Sequence, residues 1–288
     1  MTLWKDAHAP APPIGAAGWL RALTRGLVLG SVVYLGLLIL LVLRLIEAPL
    51  FSPRRPLTPF VTQGVCRAAF PILRLRISIT GTPMTQRGAV VANHSSWLDI
   101  FVLNAAQRIT FVSKSEVAGW PGIGWLARAT GTVFITRKGS EAKRQQEIFE
   151  KRLRIGDQLL FFPEGTSSDA IRVLPFKSAL FQAFYTQELD RILHIQPVTV
   201  IYHAPEGQDA RFYGWWGDMD FAPHLLITLA ARRQGRVEII FHAPLAVDHY
   251  AGRKALAAAC EAIIRGAHPC GGVFADGAEP PAGILGPH

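Results

Sequence analysis

Hydrophobic positions fall into two regimes along the chain. From residue 26 to residue 43 the sequence runs GLVLGSVVYLGLLILLVL without a charge. At 1.5 Å per residue, this run predicts a helix of about 27 Å, enough to cross a hydrocarbon core. A proline-rich hinge, SPRRPLTP, follows. Beyond it a second apolar stretch, over residues 60–75, carries Arg67 and Arg74. Interspersed charge of this kind reads as an amphipathic helix at an interface, not as a second span. A cleaved signal peptide is the alternative for the first segment. Its apolar core would be shorter and would end in small residues, whereas Arg44, Ile46 and Glu47 come next, so membrane retention is expected.

Past residue 75 the pattern changes to short runs rich in Val, Ile and Phe: LRISIT, GAVVAN, ITFVS, TVFIT, QLLFF, IQPVTVIY and VEIIF. These read as strands. Between them, helical patterns are expected over residues 96–106, 140–154, 176–187 and 250–265. The alternation predicts an α/β domain with a mixed, largely parallel sheet flanked by helices, preceded by a membrane-embedded helix pair. The expected organisation is a tail over 1–18, the helix pair over 19–76, the α/β domain over 77–267, and a disordered tail over 268–288. That last stretch is rich in Gly and Pro.

Charge narrows the partners. Lys and Arg total 30 against 21 Asp and Glu, a net +9. This balance suits anionic partners such as acidic lipid headgroups or an acidic carrier protein, and no nucleic-acid-binding motif accompanies it. Lys5, Arg21 and Arg25 precede the apolar helix, and Arg44, Arg54, Arg55 and Arg67 follow it. The larger second cluster predicts that the bulk of the chain faces the cytoplasm. The cysteines, Cys66, Cys260 and Cys270, show neither metal-ligand spacing nor a disulfide framework, as expected of a reducing compartment.

Three stretches carry candidate chemistry. In NHSSWLD a strand-like run delivers His94 into a turn, Ser95 or Ser96 is placed to cap the next helix, and Asp99 falls in its first turn. A carboxylate there can fold back onto one imidazole nitrogen and leave the other free to take a proton from an alcohol. This is the base-and-orienter half of a triad without a protein nucleophile. In FFPEGTSS a hydrophobic strand ends at Pro163, and Glu164, Gly165 and Thr166 form a turn. Backbone N–H groups at such a turn can bind oxyanions. Glu164 would either bind substrate hydroxyls or fix the turn. The third stretch runs from Lys114 to Lys138 and ends with Arg137 where a strand ends. A guanidinium there suits a phosphate or carboxylate headgroup.

Taken together, these stretches resemble the lysophosphatidate acyltransferase-like glycerolipid acyltransferases. His94 and Asp99 match the first motif of that family, and Pro121, Gly124, Gly131, Phe134, Ile135 and Arg137 its second. Phe162, Pro163, Glu164, Gly165 and Thr166 match the third, and Ile195, Pro197 and Val198 resemble the fourth. The resemblance implies an N-terminal membrane helix pair, an acyl-carrier-protein or coenzyme A thioester as acyl donor, and a lysolipid as acceptor. It implies no metal, no cofactor and no covalent enzyme intermediate. It casts His94 as general base, Asp99 as its orienter, and Arg137 with the Glu164–Thr166 turn in acceptor binding. A bacterial cytoplasmic membrane, with the α/β domain on the cytoplasmic side, is the expected location.

One departure bears on the acceptor. Phosphatidate-forming members usually have Arg after Glu-Gly-Thr, and here Ser167 stands there. The run EGTSSDAIRVLPFKSALF also resembles the lyso-ornithine lipid acyltransferases of the family. For a lyso-ornithine lipid, Arg137 would hold the headgroup carboxylate, and Asp169 or Glu164 would meet the ammonium. For lysophosphatidate, Arg137, Lys138, Arg172 or Lys177 would supply the missing charge. Both acceptors stay open at this point. So do a thioesterase, although a G-x-S-x-G elbow is absent from the sequence, and a non-catalytic lipid-binding protein of the same fold, against which the His94–Asp99 pair argues.

Overall fold

The computed structural model describes residues 13–135, 142–185 and 191–270. It begins with α1 (Ala16–Phe51), a helix of 36 residues, twice the length of the uncharged run. The extra turns exist because the flanking charges find partners. Arg21 Nε donates to the carbonyl of Ala230 at 2.8 Å, and Arg25 Nη1 donates to those of Leu229 and Ala231 at 2.8 and 2.7 Å. These carbonyls end α6 (Phe221–Ala230) and would otherwise lack donors. At the other end of α1, Glu47 accepts from the amides of Leu57 and Thr58 at 2.7 and 3.2 Å, and from Thr58 Oγ1 and Arg44.

Between these ends, Gly18, Ala22, Arg25, Leu29, Gly36, Leu40 and Glu47 form one buried stripe, spaced as the turns of one helix face require. Gly36 is needed for contact: a Cβ there would lie 2.2 Å from Val65 Cγ2 of α2 (Thr58–Leu73). The opposite face of α1 is apolar and exposed from Trp19 to Phe51. By length and composition α1 is able to cross a membrane.

The α/β domain follows as β1 (Arg76–Thr80), β2 (Gly88–Ala92), α3 (Asp99–Ala106), β3 (Thr110–Lys114), α4 (Ile123–Thr130), β4 (Val133–Ile135), α5 (Ala142–Arg154), β5 (Leu159–Phe161), β6 (His194–His203), α6, β7 (Arg236–Phe241), β8 (Leu245–Ala246) and α7 (Arg253–Ala267). The strand order is β1-β7-β6-β2-β5-β3-β4, with β8 beside β6. Pairing is parallel except where β6 meets β7 and β8. This is the expected mixed, largely parallel sheet.

Strand alternation divides two cores. Val90 and Ala92 of β2 and Leu160 of β5 face the side covered by α2, α3 and α6. Ala89, Val91, Leu159 and Phe161 face the side covered by α5 and α7. The seven expected strands form; β8 was missed because it is two residues long.

Helices differ more. The stretch expected as a helix over 176–187 is instead a 3-10 segment, Ser178–Phe184. Phe181 and Phe184 are both fully buried, with ring centroids 5.3 and 5.8 Å from that of Phe161. A three-residue turn puts side chains three apart on one line, so both rings reach the same strand residue. The helices α4 and α6 were not anticipated. The tail expected from residue 268 lies for the most part outside the described residues.

The Glu47 cluster generates a stability prediction. Glu47→Ala removes the buried carboxylate that the amides of Leu57 and Thr58 and the Thr58 hydroxyl share, at a cost of about 2–4 kcal/mol. The thermal midpoint of detergent-solubilised protein should fall by roughly 5–15 °C. An unchanged midpoint would show that solvent already reaches the hinge.

Candidate active site

His94 and Glu164 leave the sheet from neighbouring parallel strands. Val91 of β2 is in register with Phe161 of β5 and with Pro197 of β6, so the carboxyl ends of these strands open at one edge, the usual site of ligand binding in α/β sheets. Asn93 carries β2 one step further through its side chain: Nδ2 donates to the carbonyl of Val200 and Oδ1 accepts from the amide of Val200, both at 2.8 Å. His94 is the next residue.

Its imidazole is fixed on two sides. The ring stacks on Phe162, with centroids 4.0 Å apart and planes 10° from parallel. Nδ1 lies 2.7 Å from Asp99 Oδ2. That same oxygen accepts from the amides of Ser95 and Ser96 at 2.9 and 3.1 Å, so it is an acceptor and the proton sits on Nδ1. The Nε2 lone pair is then available, on a side chain that is 20% exposed.

The two serines act through their amides, and Ser96 Oγ also accepts from the amide of Leu98 at 3.3 Å, a side-chain bond at the entry to α3. The α3 N-cap residue is Leu98, which makes no side-chain cap. The two amides of the turn before α3, those of Ser95 and Ser96, are committed to Asp99 and are not free to bind an oxyanion.

A further group completes Asp99. Tyr202 Oη donates to Asp99 Oδ1 at 2.7 Å. Tyr202 is on β6, whose ten residues run beyond the end of β2 alongside the His94 turn. Burial pushes its phenol well above the usual tyrosine range, and the Asp99 charge adds to that, so it remains a donor throughout the working pH range. Sequence reading did not find Tyr202, because an inward strand tyrosine carries no local sign of its partner.

Glu164 is 1% exposed. Oε1 accepts from the amide of His94 at 2.7 Å, and Oε2 accepts from the amide of Leu174 at 2.8 Å. The carbonyl of His94 in turn accepts from the amide of Ser168 at 2.8 Å. Of the two roles open to Glu164, the geometry selects turn fixing over contact with substrate hydroxyls. Burial pushes the carboxyl well above the usual glutamate range, and the two amides oppose that rise.

The expectation that Glu164 or Asp169 meets a headgroup ammonium is corrected on the same ground. Asp169 is 1% exposed and bonded to Arg172 Nε at 2.9 Å and to the amides of Ile171 and Arg172. Arg172 is equally enclosed and is not a cation for the acceptor. Ser167 is buried as well, whereas Thr166 is exposed. Gly165 has φ +72°, and a Cβ there would lie 2.7 Å from Lys177 Nζ, so an exposed ammonium overhangs the turn. Pro163 is held by its carbonyl, which accepts from the amide of Lys177 at 2.9 Å.

The remaining candidates are more distant supports. Gly131 ends α4 at φ +85°, packed on the Arg55 guanidinium. Phe134 pairs with Ser113, and Lys114 is exposed at the end of β3. Pro197 lies within β6, its carbonyl accepting from the amide of His242 at 3.1 Å. Arg137 and Lys138 lie outside the described residues.

Two tryptophans near His94 were also missed. The amide of Trp215 donates to the carbonyl of Ser95 at 2.9 Å. Trp97 Nε1 donates to Nδ1 of His224 at 2.9 Å, and burial lowers that imidazole to about 4, which keeps it neutral and accepting.

Comparison with known proteins bears on this geometry. A family model described as Acyltransferase matches residues 76–215. A lyso-ornithine lipid O-acyltransferase of Rhodobacter capsulatus is 58% identical over 260 residues, covering 90% of this chain and 94% of the relative. A 1-acyl-sn-glycerol-3-phosphate acyltransferase of Neisseria gonorrhoeae is 41% identical over 98 residues, covering 33% of this chain and 37% of the relative. The crystal structure of the 1-acyl-sn-glycerophosphate acyltransferase PlsC of Thermotoga maritima superimposes with a TM-score of 0.60 at 20% identity, covering 85% of this chain and 92% of that one, a likeness of fold.

The Tyr202 contact yields the prediction of this section. Tyr202→Phe keeps the ring and removes the donor to Asp99, at about 1.5–3 kcal/mol for a bond to a charged group. Turnover should fall roughly 10- to 100-fold with little change in KM for the acceptor. Wild-type turnover in the variant would reduce Tyr202 to a packing residue.

Proposed function

The chain belongs to the lysophosphatidate acyltransferase-like family of acyltransferases, and from that premise we propose that it transfers a fatty acyl group from an acyl-carrier-protein or coenzyme A thioester to the free hydroxyl of a lyso-ornithine lipid. The observation that carries the choice of acceptor is the 58% identity to a lyso-ornithine lipid O-acyltransferase across 90% of this chain.

In this reading His94 Nε2 takes the proton of the acceptor hydroxyl as its oxygen attacks the thioester carbonyl. Asp99 holds Nδ1–H and stabilises the imidazolium that forms. The tetrahedral oxyanion requires donors. With the amides of Ser95 and Ser96 committed to Asp99, those of Thr166 and Ser167 remain, making no hydrogen bond among the described residues. Collapse breaks the C–S bond, and the thiolate takes the proton from His94. No residue is acylated on the way.

The headgroup is read by charge. A lyso-ornithine lipid presents a carboxylate where lysophosphatidate presents a phosphate monoester. Lys177 Nζ, over Gly165, is a single point charge suited to a carboxylate, and Arg137 is the expected second cation. The exposed apolar face of α1 and the hinge to α2 hold this opening at a bacterial cytoplasmic membrane, with the α/β domain in the cytoplasm.

Two experiments test the proposal. His94→Ala should lower turnover by about 10²–10⁴-fold with the fold retained, and Asp99→Asn should impair it by favouring the wrong tautomer. Near-normal turnover by a folded His94→Ala variant would exclude the mechanism. Separately, purified protein is offered lyso-ornithine lipid and lysophosphatidate with one acyl donor. Lyso-ornithine lipid should be preferred, and Lys177→Met should raise its KM about 10- to 150-fold, the value of one charge-assisted bond. A strong preference for lysophosphatidate would refute the choice of acceptor and leave the acyl-transfer chemistry standing.

A further inference from the structure

A half-open polar cavity of about 520 Å³ lies between the amino end of α1 and the carboxyl end of α6. Its size is in the range of small-molecule sites. Its wall includes Arg21, Arg232, Arg233, Glu206, Ile14 and Gly18, three cationic side chains against one carboxylate.

Most of that positive charge is unspent. Arg21 uses Nε on the carbonyl of Ala230, and its terminal nitrogens make no hydrogen bond among the described residues. Arg232 is exposed and makes no hydrogen bond or ion pair among the described residues. Arg233 pairs with Glu206 at 2.9 Å, but these side chains are 72% and 83% exposed, and an ion pair so open to water holds weakly. A multiply charged anion with several acceptor oxygens would satisfy all three guanidiniums.

The surroundings indicate where that anion comes from. On the same turns of α1, Trp19, Leu20 and Leu23 are 54%, 64% and 69% exposed. They begin the uncovered apolar face that continues to Leu50 and Phe51. Tryptophan collects at the boundary between hydrocarbon and water, so Trp19 marks the depth of the headgroups, and the cavity opens at that depth.

We propose that this cavity binds the phosphate of an anionic phospholipid, whose acyl chains lie along the Trp19–Leu27 face of α1. The site is separate from the acceptor site and would hold the enzyme on an anionic leaflet. It rests on α1 being a membrane helix and not on the identity of the acceptor.

The test uses the full chain in a neutral detergent, with bound lipid counted by native mass spectrometry for phosphatidylglycerol and for phosphatidylcholine. Wild type should retain phosphatidylglycerol selectively. Replacing Arg232→Ala and Arg233→Ala together should weaken that binding about 30-fold, at roughly 1 kcal/mol per cation near a membrane surface. A control with the same loss of charge, Arg87→Ala with Lys254→Ala, both exposed and outside the cavity, should bind as wild type. Unchanged acyl transfer by the Arg232/Arg233 variant in neutral micelles would report an intact fold. Equal retention of the two lipids, equal loss in both double variants, or displacement of phosphatidylglycerol by inorganic phosphate at equal concentration would each overturn the proposal. The last outcome would show a site for free anions.

Discussion

Asp99 is a carboxylate with no access to solvent. A buried charge is tolerable only when its lone pairs are filled. His94 Nδ1, the amides of Ser95 and Ser96, and the hydroxyl of Tyr202 fill them. These groups come from the turn after β2 and from β6, and Asp99 itself begins α3. Satisfying one charge thus draws together three elements, and the imidazole becomes part of that closure. Its orientation follows from the electrostatics of Asp99 rather than from its own packing alone.

Glu164 solves the same problem on the other side of His94. One oxygen takes the amide of His94 and the other the amide of Leu174, which ties the turn after β5 to the turn after β2. The carbonyl of His94 returns a bond to Ser168. The backbone of His94 is held by one loop while its ring is held by the other. With Asp169 and Arg172 paired inside the same loop, acidic groups are withdrawn from the opening. Thr166 and Lys177 are left exposed at its rim, so the charge presented there is positive.

The apolar helix obeys related rules. A 36-residue helix could project away from the domain, but its buried stripe runs nearly end to end. The carbonyls ending α6 need donors, and Arg21 and Arg25 supply them; the hinge amides need an acceptor, and Glu47 supplies it. Polar closure at both ends sets how α1 lies on the domain, while the face turned outward stays uniformly apolar. The site opening and the outward apolar face of α1 are therefore parts of one packed arrangement.

Local pattern determined much of this protein. The uncharged run, the alternating strands and the five-residue step from His94 to Asp99 are read from neighbours in the chain, because dihedral preference and burial periodicity act over a few residues. Tertiary structure decided the rest. Tyr202 reaches Asp99 across 103 residues, and Glu164 reaches the amide of His94 across 70. Both contacts depend on β6 and β5 flanking β2, an order that no local pattern carries. For the same reason the sequence leaves Glu164 open to either role, contact with substrate or turn fixing, and only the sheet shows it turned inward. The 3-10 turn of Phe181 and Phe184 has a similar origin: apolar spacing announced a helix, but its pitch was set by the position of Phe161 on the strand beneath.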